Sequence, residues 1–204
     1  MSYGAPAVGL PMVAGVTLGR TVSLDPRAWR RHEGDTFFGL DQSELRITGQ
    51  GYIQLDPANH VHRFYTDEEI MLQAVSRSAD GSGADDITIF HGLWSHQPHT
   101  DPGRRHFIER MRKPSFEYEG VHYDRFWLEA YENDQDPVIL TEDVYEDWSG
   151  RAARQVVQVC MLYSRGLASG GTELLLALEV APDHGSIVQE LMVGLPLAPT
   201  EFNA

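Results

Sequence analysis

The sequence predicts a β-rich α+β domain, with a mostly antiparallel sheet curled or sandwiched around one core and two short helices. Three observations predict it. Apolar residues recur at period two along most of the chain, which places them on one face of a strand. Clusters of Gly, Pro, Asp and Asn separate these runs at short intervals. No long amphipathic stretch intervenes to carry parallel crossovers, so neighbouring strands are expected to pair antiparallel.

The 204 residues fit one domain. Residues 1–20 read as a flexible or surface-draped N-terminal arm and 21–204 as a single β-rich domain. Gly4, Pro6, Gly9, Pro11, Gly15 and Gly19 interrupt the uncharged start. That pattern fits neither a membrane helix nor, without a basic leader, a secretory signal. The expected compartment is the cytoplasm.

A first short helix is expected after Asp25, with Pro26 at its opening and Leu24, Ala28 and Trp29 on its apolar side, ending near Gly34. Leu45, Ile47, Ile53 and Leu55 share one parity, and Gly49 and Gly51 between them read as strand punctuation. Asp56-Pro57-Ala58-Asn59 is a turn by composition, residues 60–65 return as a strand, and residues 70–75 make another. Residues 76–86 read as a loop, 87–91 as a strand and 94–103 as a second loop. The second helix is placed at 104–112, with Phe107, Ile108 and Met111 on one face and Arg104, Arg105, Arg110 and Arg112 on the other. Pro114 stops it.

The clearest local signal is a hairpin. A two-residue turn at Glu119-Gly120 pairs Tyr118 with Val121 and Phe116 with Tyr123, on one face. The last third reads as a three-stranded meander. Residues 155–164 are apolar at both parities and therefore central; the four β-branched or Cys positions between Val156 and Cys160 favour strand over helix. Gly170-Gly171 is one turn and Pro182-Asp183-His184-Gly185 another. Leu174, Leu176, Leu178 and Val180 form one face, and Ile187, Leu191 and Val193 complete the sheet.

Charge excludes some partners. The formal net charge is −14, from 30 acidic and 16 basic residues, and Lys113 is the only Lys. Such an excess repels phosphate backbones, so nucleic acid and anionic membranes are disfavoured and a basic protein surface is favoured. The single Cys160 excludes an intramolecular disulfide and sits in an apolar run as a core residue.

No nucleophile elbow, dinucleotide loop, P-loop or zinc-protease motif occurs. His60 and His62 are the best metal candidates, since alternate strand residues share a face. A metal needs a further ligand there, such as Glu68. His91, His96, His99 and His106 are dense along the chain but nothing fixes their geometry, so they read as loop histidines. Residues 129–147 carry eight carboxylates and no Lys or Arg. Glu132, Asp134 and Asp136 alternate like calcium ligands, but Pro137 and Asp143 occupy the places of the required Gly and Glu, so the stretch reads as a solvated loop. The basic helix at 104–113, near Trp94, is expected to pair with it internally. No catalytic, cofactor or metal residue is assigned.

His62-Arg-Phe-Tyr-Thr-Asp-Glu-Glu69 with Leu72-Gln73, Met161-Leu-Tyr-Ser-Arg165 with Glu173-Leu-Leu-Leu176, Leu191-Met-Val-Gly194 and Thr21-Val-Ser-Leu-Asp25 form an ordered set. Together they resemble the YjfK-like family of bacterial proteins of unknown function, over residues 10–197. The resemblance transfers no activity or site residue. It implies a bacterial accessory protein beside stress-related, membrane-associated proteins. The expected function is therefore non-enzymatic binding of a protein partner, with homo-oligomerisation open and no membrane insertion. The alternative is a small-molecule or metal-binding β-barrel, catalytic or not, built on the His60/His62 strand.

Overall fold

The computed structural model describes residues 10–84, 86–128, 132–149, 151–182 and 186–204. In chain order the elements are β1 (Thr21–Leu24), α1 (Arg27–Arg30), β2 (Glu44–Arg46), β3 (Gly49–Asp56), β4 (Asn59–Tyr65), β5 (Ile70–Ser76) and β6 (Asp86–His96). They continue as α2 (Asp101–Met111), β7 (Ser115–Tyr118), β8 (Val121–Arg125), β9 (Val138–Tyr145), β10 (Arg154–Gly166), β11 (Thr172–Pro182), β12 (Val188–Leu197) and β13 (Phe202–Asn203).

Eight of these strands close on themselves. Their order is β3-β4-β5-β6-β12-β11-β10-β9, every pair is antiparallel, and β9 returns to β3. The sheet expected to be curled or sandwiched is a closed eight-stranded barrel. Closure leaves no free edge in the ring.

The strands' two faces build separate cores. Ile53, Val61, Met71, Phe90, Cys160, Leu176 and Met192 pack inside the barrel. Phe64, Leu72, Ile89 and Val193, on the outer wall, pack against Val22, Leu24, Trp29 and Leu45. These come from α1 and from the small sheet β13-β1-β2. Elsewhere on the outer wall, Tyr163, Leu175 and Leu191 are covered by Phe107 and Met111 of α2 and by Phe116 and Tyr123 of the β7–β8 hairpin. The single core expected from the sequence is three, because a closed barrel must fill its lumen and cover its wall separately. Of the N-terminal arm, residues 1–9 lie outside the described set, while Val13, Val16 and Leu18 are buried.

Several local expectations hold. The hairpin has Tyr118 opposite Val121 and Phe116 opposite Tyr123. Glu119 and Gly120 both take positive φ, 50° and 77°, as a type I′ turn requires. β10 to β12 form the expected meander; residues 183–185 of its second turn lie outside the described residues.

Others are corrected. α2 starts at Asp101, because the Thr100 side chain caps it by accepting from Gly103 N and Pro102 suits the first turn. β6 runs on to His96 through a bulge, so the segment from Trp94 is not all loop. Residues 138–145 are strand β9, not part of a solvated acidic loop; Leu140 and Val144 face the lumen beside Glu142. The run from Leu45 to Leu55 splits, with Leu45 and Ile47 in the outer core and Ile53 inside.

Candidate functional site

A polar layer crosses the middle of the lumen. Arg63 on β4 and Glu142 on β9 are both buried, with Nη1 3.1 Å from Oε2. Arg63 also donates through Nη1 to Gln158 Oε1 at 2.6 Å and through Nε to Gln73 Oε1 at 2.9 Å. The Tyr65 hydroxyl donates to Glu142 Oε1, and Gln158 Nε2 to its Oε2. Every member sits at an inward parity, so three further strand positions, Tyr65, Gln73 and Gln158, converge on one ion pair.

The register explains how the carboxylate fits. Gly51 on β3 lies opposite Arg63 on one side and Val144 on the other. With no side chain at Gly51, the Glu142 carboxylate occupies that space. Burial pushes the Arg63 guanidinium toward deprotonation, but the Glu142 charge together with Tyr65 and Cys160 outweighs it, so the proton is held more firmly than usual. Burial and the same carboxylate keep the Tyr65 phenol protonated far above its ordinary range. Cys160 lies close by; burial pushes its thiol up to about 11, so it carries no thiolate at neutral pH.

The layer divides the lumen into two chambers. One, about 500 Å³, is walled by Tyr65, Met71, Val156, Leu178 and Met192, with Glu69, Glu190 and Arg154 also lining it. Burial, then the Glu69 charge, raise the Glu190 carboxyl above its ordinary range. The other, about 570 Å³, is walled by Val61, Phe90, Leu140, Leu162 and Leu174. Leu55, Phe126 and Leu128 line it too, and they are among the exposed large apolar side chains. Arg63 borders both chambers. Volumes of roughly 300–1,000 Å³, apolar walls and a few placed polar groups are the usual make-up of a small-molecule site.

His60 and His62 do share a face, but it is the outer one. His60 Nδ1 is 2.8 Å from the Tyr52 hydroxyl, His62 Nε2 is 3.4 Å from Ser76 Oγ, and both rings lie against Tyr52. Glu68 is not with them; it accepts from Gln42. Among the described residues no group of three His, Cys, Asp or Glu side chains is placed to hold a metal. His96 stacks on Trp94 and meets His99 edge-on, while His91 meets Phe38. The basic segment pairs in part with the acidic stretch, as expected, Lys113 bonding Asp134 at 2.7 Å and Arg112 ion-pairing with Asp136 at 3.2 Å, whereas Arg104 turns to Glu179 of β11 at 2.8 Å.

Two further polar clusters escaped sequence reasoning. On the outer wall Glu173 is buried and accepts from Arg165 Nε at 2.7 Å, Tyr123 Oη at 2.6 Å and Phe37 N at 2.9 Å. It locks the 36–37 segment and the hairpin to the barrel. His32, Ser169 and Asp35 also meet, with Ser169 Oγ 2.8 Å from His32 Nδ1 and 2.9 Å from Asp35 Oδ2. This is not a nucleophile relay. Arg31 Nε donates to His32 Nε2 at 2.9 Å, so the imidazole proton sits on Nδ1 and points at the serine. The ring is thus a donor to Ser169 and not its base.

No helix among the described residues is long and apolar enough to cross a membrane. No curated protein and no solved structure matches the chain. The sequence model of one family, described as "Protein of unknown function (DUF2491)", matches residues 3–203. The match spans nearly the whole chain, and the protein therefore belongs to the DUF2491 family.

Proposed function

We propose that this barrel binds a small organic molecule in its lumen. One observation carries the reading: a closed eight-stranded ring contains two apolar-walled chambers that meet at a buried polar layer. Eight strands leave an interior wide enough for side chains alone or for one small ligand, and here part of that interior is left as chamber. The metal version of this reading loses its support, since His60 and His62 face outward onto Tyr52 and Ser76. Titration with the neutral dye N-phenyl-1-naphthylamine tests the proposal. A saturable, one-to-one rise in emission is expected; emission that only drifts linearly with dye sinks it.

A protein partner is a second reading. Its supporting observation is the outer face of β9 and β10, where Ile139 is 69% and Val157 41% exposed on neighbouring strands. The likeness to YjfK-like proteins supports an accessory role in a stress- or membrane-associated system for either reading. Crosslinking in cells followed by capture tests it: a partner lost with Ile139→Asp supports docking there, and a capture unchanged by that variant counts against it.

A further inference from the structure

The two chambers differ at their inner ends, and that difference specifies a ligand. In the larger chamber the floor is made by Arg63, Gln73 and Thr88, and Gln73 lies directly opposite Thr88 across β5 and β6 and beside Arg63 across β4 and β5. Arg63 brings no spare charge, because Glu142 neutralises it at 3.1 Å. Thr88 and Gln73 are 5% and 9% exposed. Gln73 uses its carbonyl to accept from Arg63 Nε. Its amide nitrogen and the Thr88 hydroxyl make no side-chain hydrogen bond with another described residue, and neither is among the atoms sealed from solvent without a partner, so both are open to the chamber they line. Polar groups that line an apolar-walled cavity and are not used by the protein itself are the kind that fix the polar end of a ligand.

We infer that this chamber takes an uncharged amphiphile, whose hydroxyl or carbonyl end is held by Thr88 and Gln73 while its apolar body lies among Leu140, Leu162 and Leu174. The inference rests on the lumen-binding reading above and names the ligand class for one of its chambers. The opposite end of the chamber is lined by Phe126, Leu55 and Leu128, which are apolar and 54%, 43% and 41% exposed. They give an oily entrance to an apolar molecule. An anion meets Asp86 on its way, a negatively charged protein throughout, and a guanidinium already satisfied by Glu142. A cation finds no unpaired carboxylate at the floor, and neither ion recovers its hydration there.

The experiment displaces bound N-phenyl-1-naphthylamine with three decyl compounds at pH 7.5: 1-decanol, decanoate and decylammonium. Decanol is expected to bind at least tenfold more tightly than either ion. Shortening it to octanol is expected to weaken binding about fourfold per methylene removed. Thr88→Val removes the hydroxyl at nearly constant shape and is expected to weaken decanol about three- to tenfold. A thermal melt by circular dichroism checks that this variant is folded. Decanoate or decylammonium binding as tightly as decanol overturns the inference and leaves the lumen reading standing. So does decanol affinity unchanged in the folded Thr88→Val protein. Absence of any saturable dye binding overturns the lumen reading itself, and this inference with it.

Discussion

The Glu142 carboxylate stands where a side chain at Gly51 would be: a Cβ added there would meet Oε1 at 1.7 Å and the carboxyl carbon at 2.8 Å. The smallest residue and the buried acid are therefore one feature, contributed by neighbouring strands β3 and β9. Gly51→Ala must push the carboxylate off Arg63 or bend the strand. The expected loss is about 3–5 kcal/mol, the cost of breaking a buried pair. Gly39→Ala, with nothing within 4 Å of the added carbon, is expected to stay within about 0.5 kcal/mol. Urea denaturation of the two variants checks the contrast.

Breaking the pair from its other end gives a second prediction. Glu142→Gln leaves Arg63 charged and buried without its counter-ion, at a cost of about 3–5 kcal/mol. Removing both charges, as Arg63→Met with Glu142→Gln, is expected to recover much of that loss, because the pair was costly to desolvate. Cys160 reports the event. It is fully buried, so a thiol reagent is expected to label the native protein slowly and the Glu142→Gln protein much faster.

Acid is expected to weaken the fold through two histidines. Burial lowers the His62 imidazole below its ordinary 6.5, and burial with the Arg31 charge lowers His32. The unfolded chain therefore binds these protons more readily than the folded one. Their stabilising contribution is complete above about pH 6.5 and is lost as pH falls through the lowered folded values. Glu190 works in the opposite sense: its raised carboxyl favours the fold below its ordinary 4.5, and that contribution is lost as pH rises through the raised folded value. Urea midpoints between pH 7.5 and 5 are expected to fall with acid, less steeply in His62→Gln and more steeply in Glu190→Gln. A profile identical in all three proteins contradicts the assignment.

The β7–β8 turn provides a local test. Glu119 holds φ at 50°, a conformation that Asn tolerates better than Glu. Glu119→Asn is expected to stabilise the protein by about 0.5 kcal/mol, and Gly120→Ala to destabilise it by about 1 kcal/mol. Thermal melts read both. The contrast with the Gly51 variant separates a turn effect from a lumen effect.

What the sequence made legible follows from range. The hairpin at Glu119-Gly120 and the meander from β10 to β12 are local pairings, written in alternation and turn residues. Barrel closure depends on β3 meeting β9 and β6 meeting β12, which no local pattern encodes. The candidate site was hidden for a more specific reason. In His60-Val61-His62-Arg63 the histidines drew the chemistry to the even face, yet the odd face carries Arg63 into the lumen. Glu142 was masked twice, by the acidic residues around it and because a charged residue at an inward position interrupts the apolar alternation of Val138, Leu140 and Val144. A buried ion pair looks like surface in each of its two strands until those strands are placed side by side.

The most direct measurement is methyl NMR of the protein with 1-decanol, reading nuclear Overhauser contacts between ligand and side chains. The account predicts contacts to Leu140, Leu162 and Leu174, which line the larger chamber. Contacts confined to outer-wall methyls such as Ile139 and Val157, with none from inside the barrel, would contradict it.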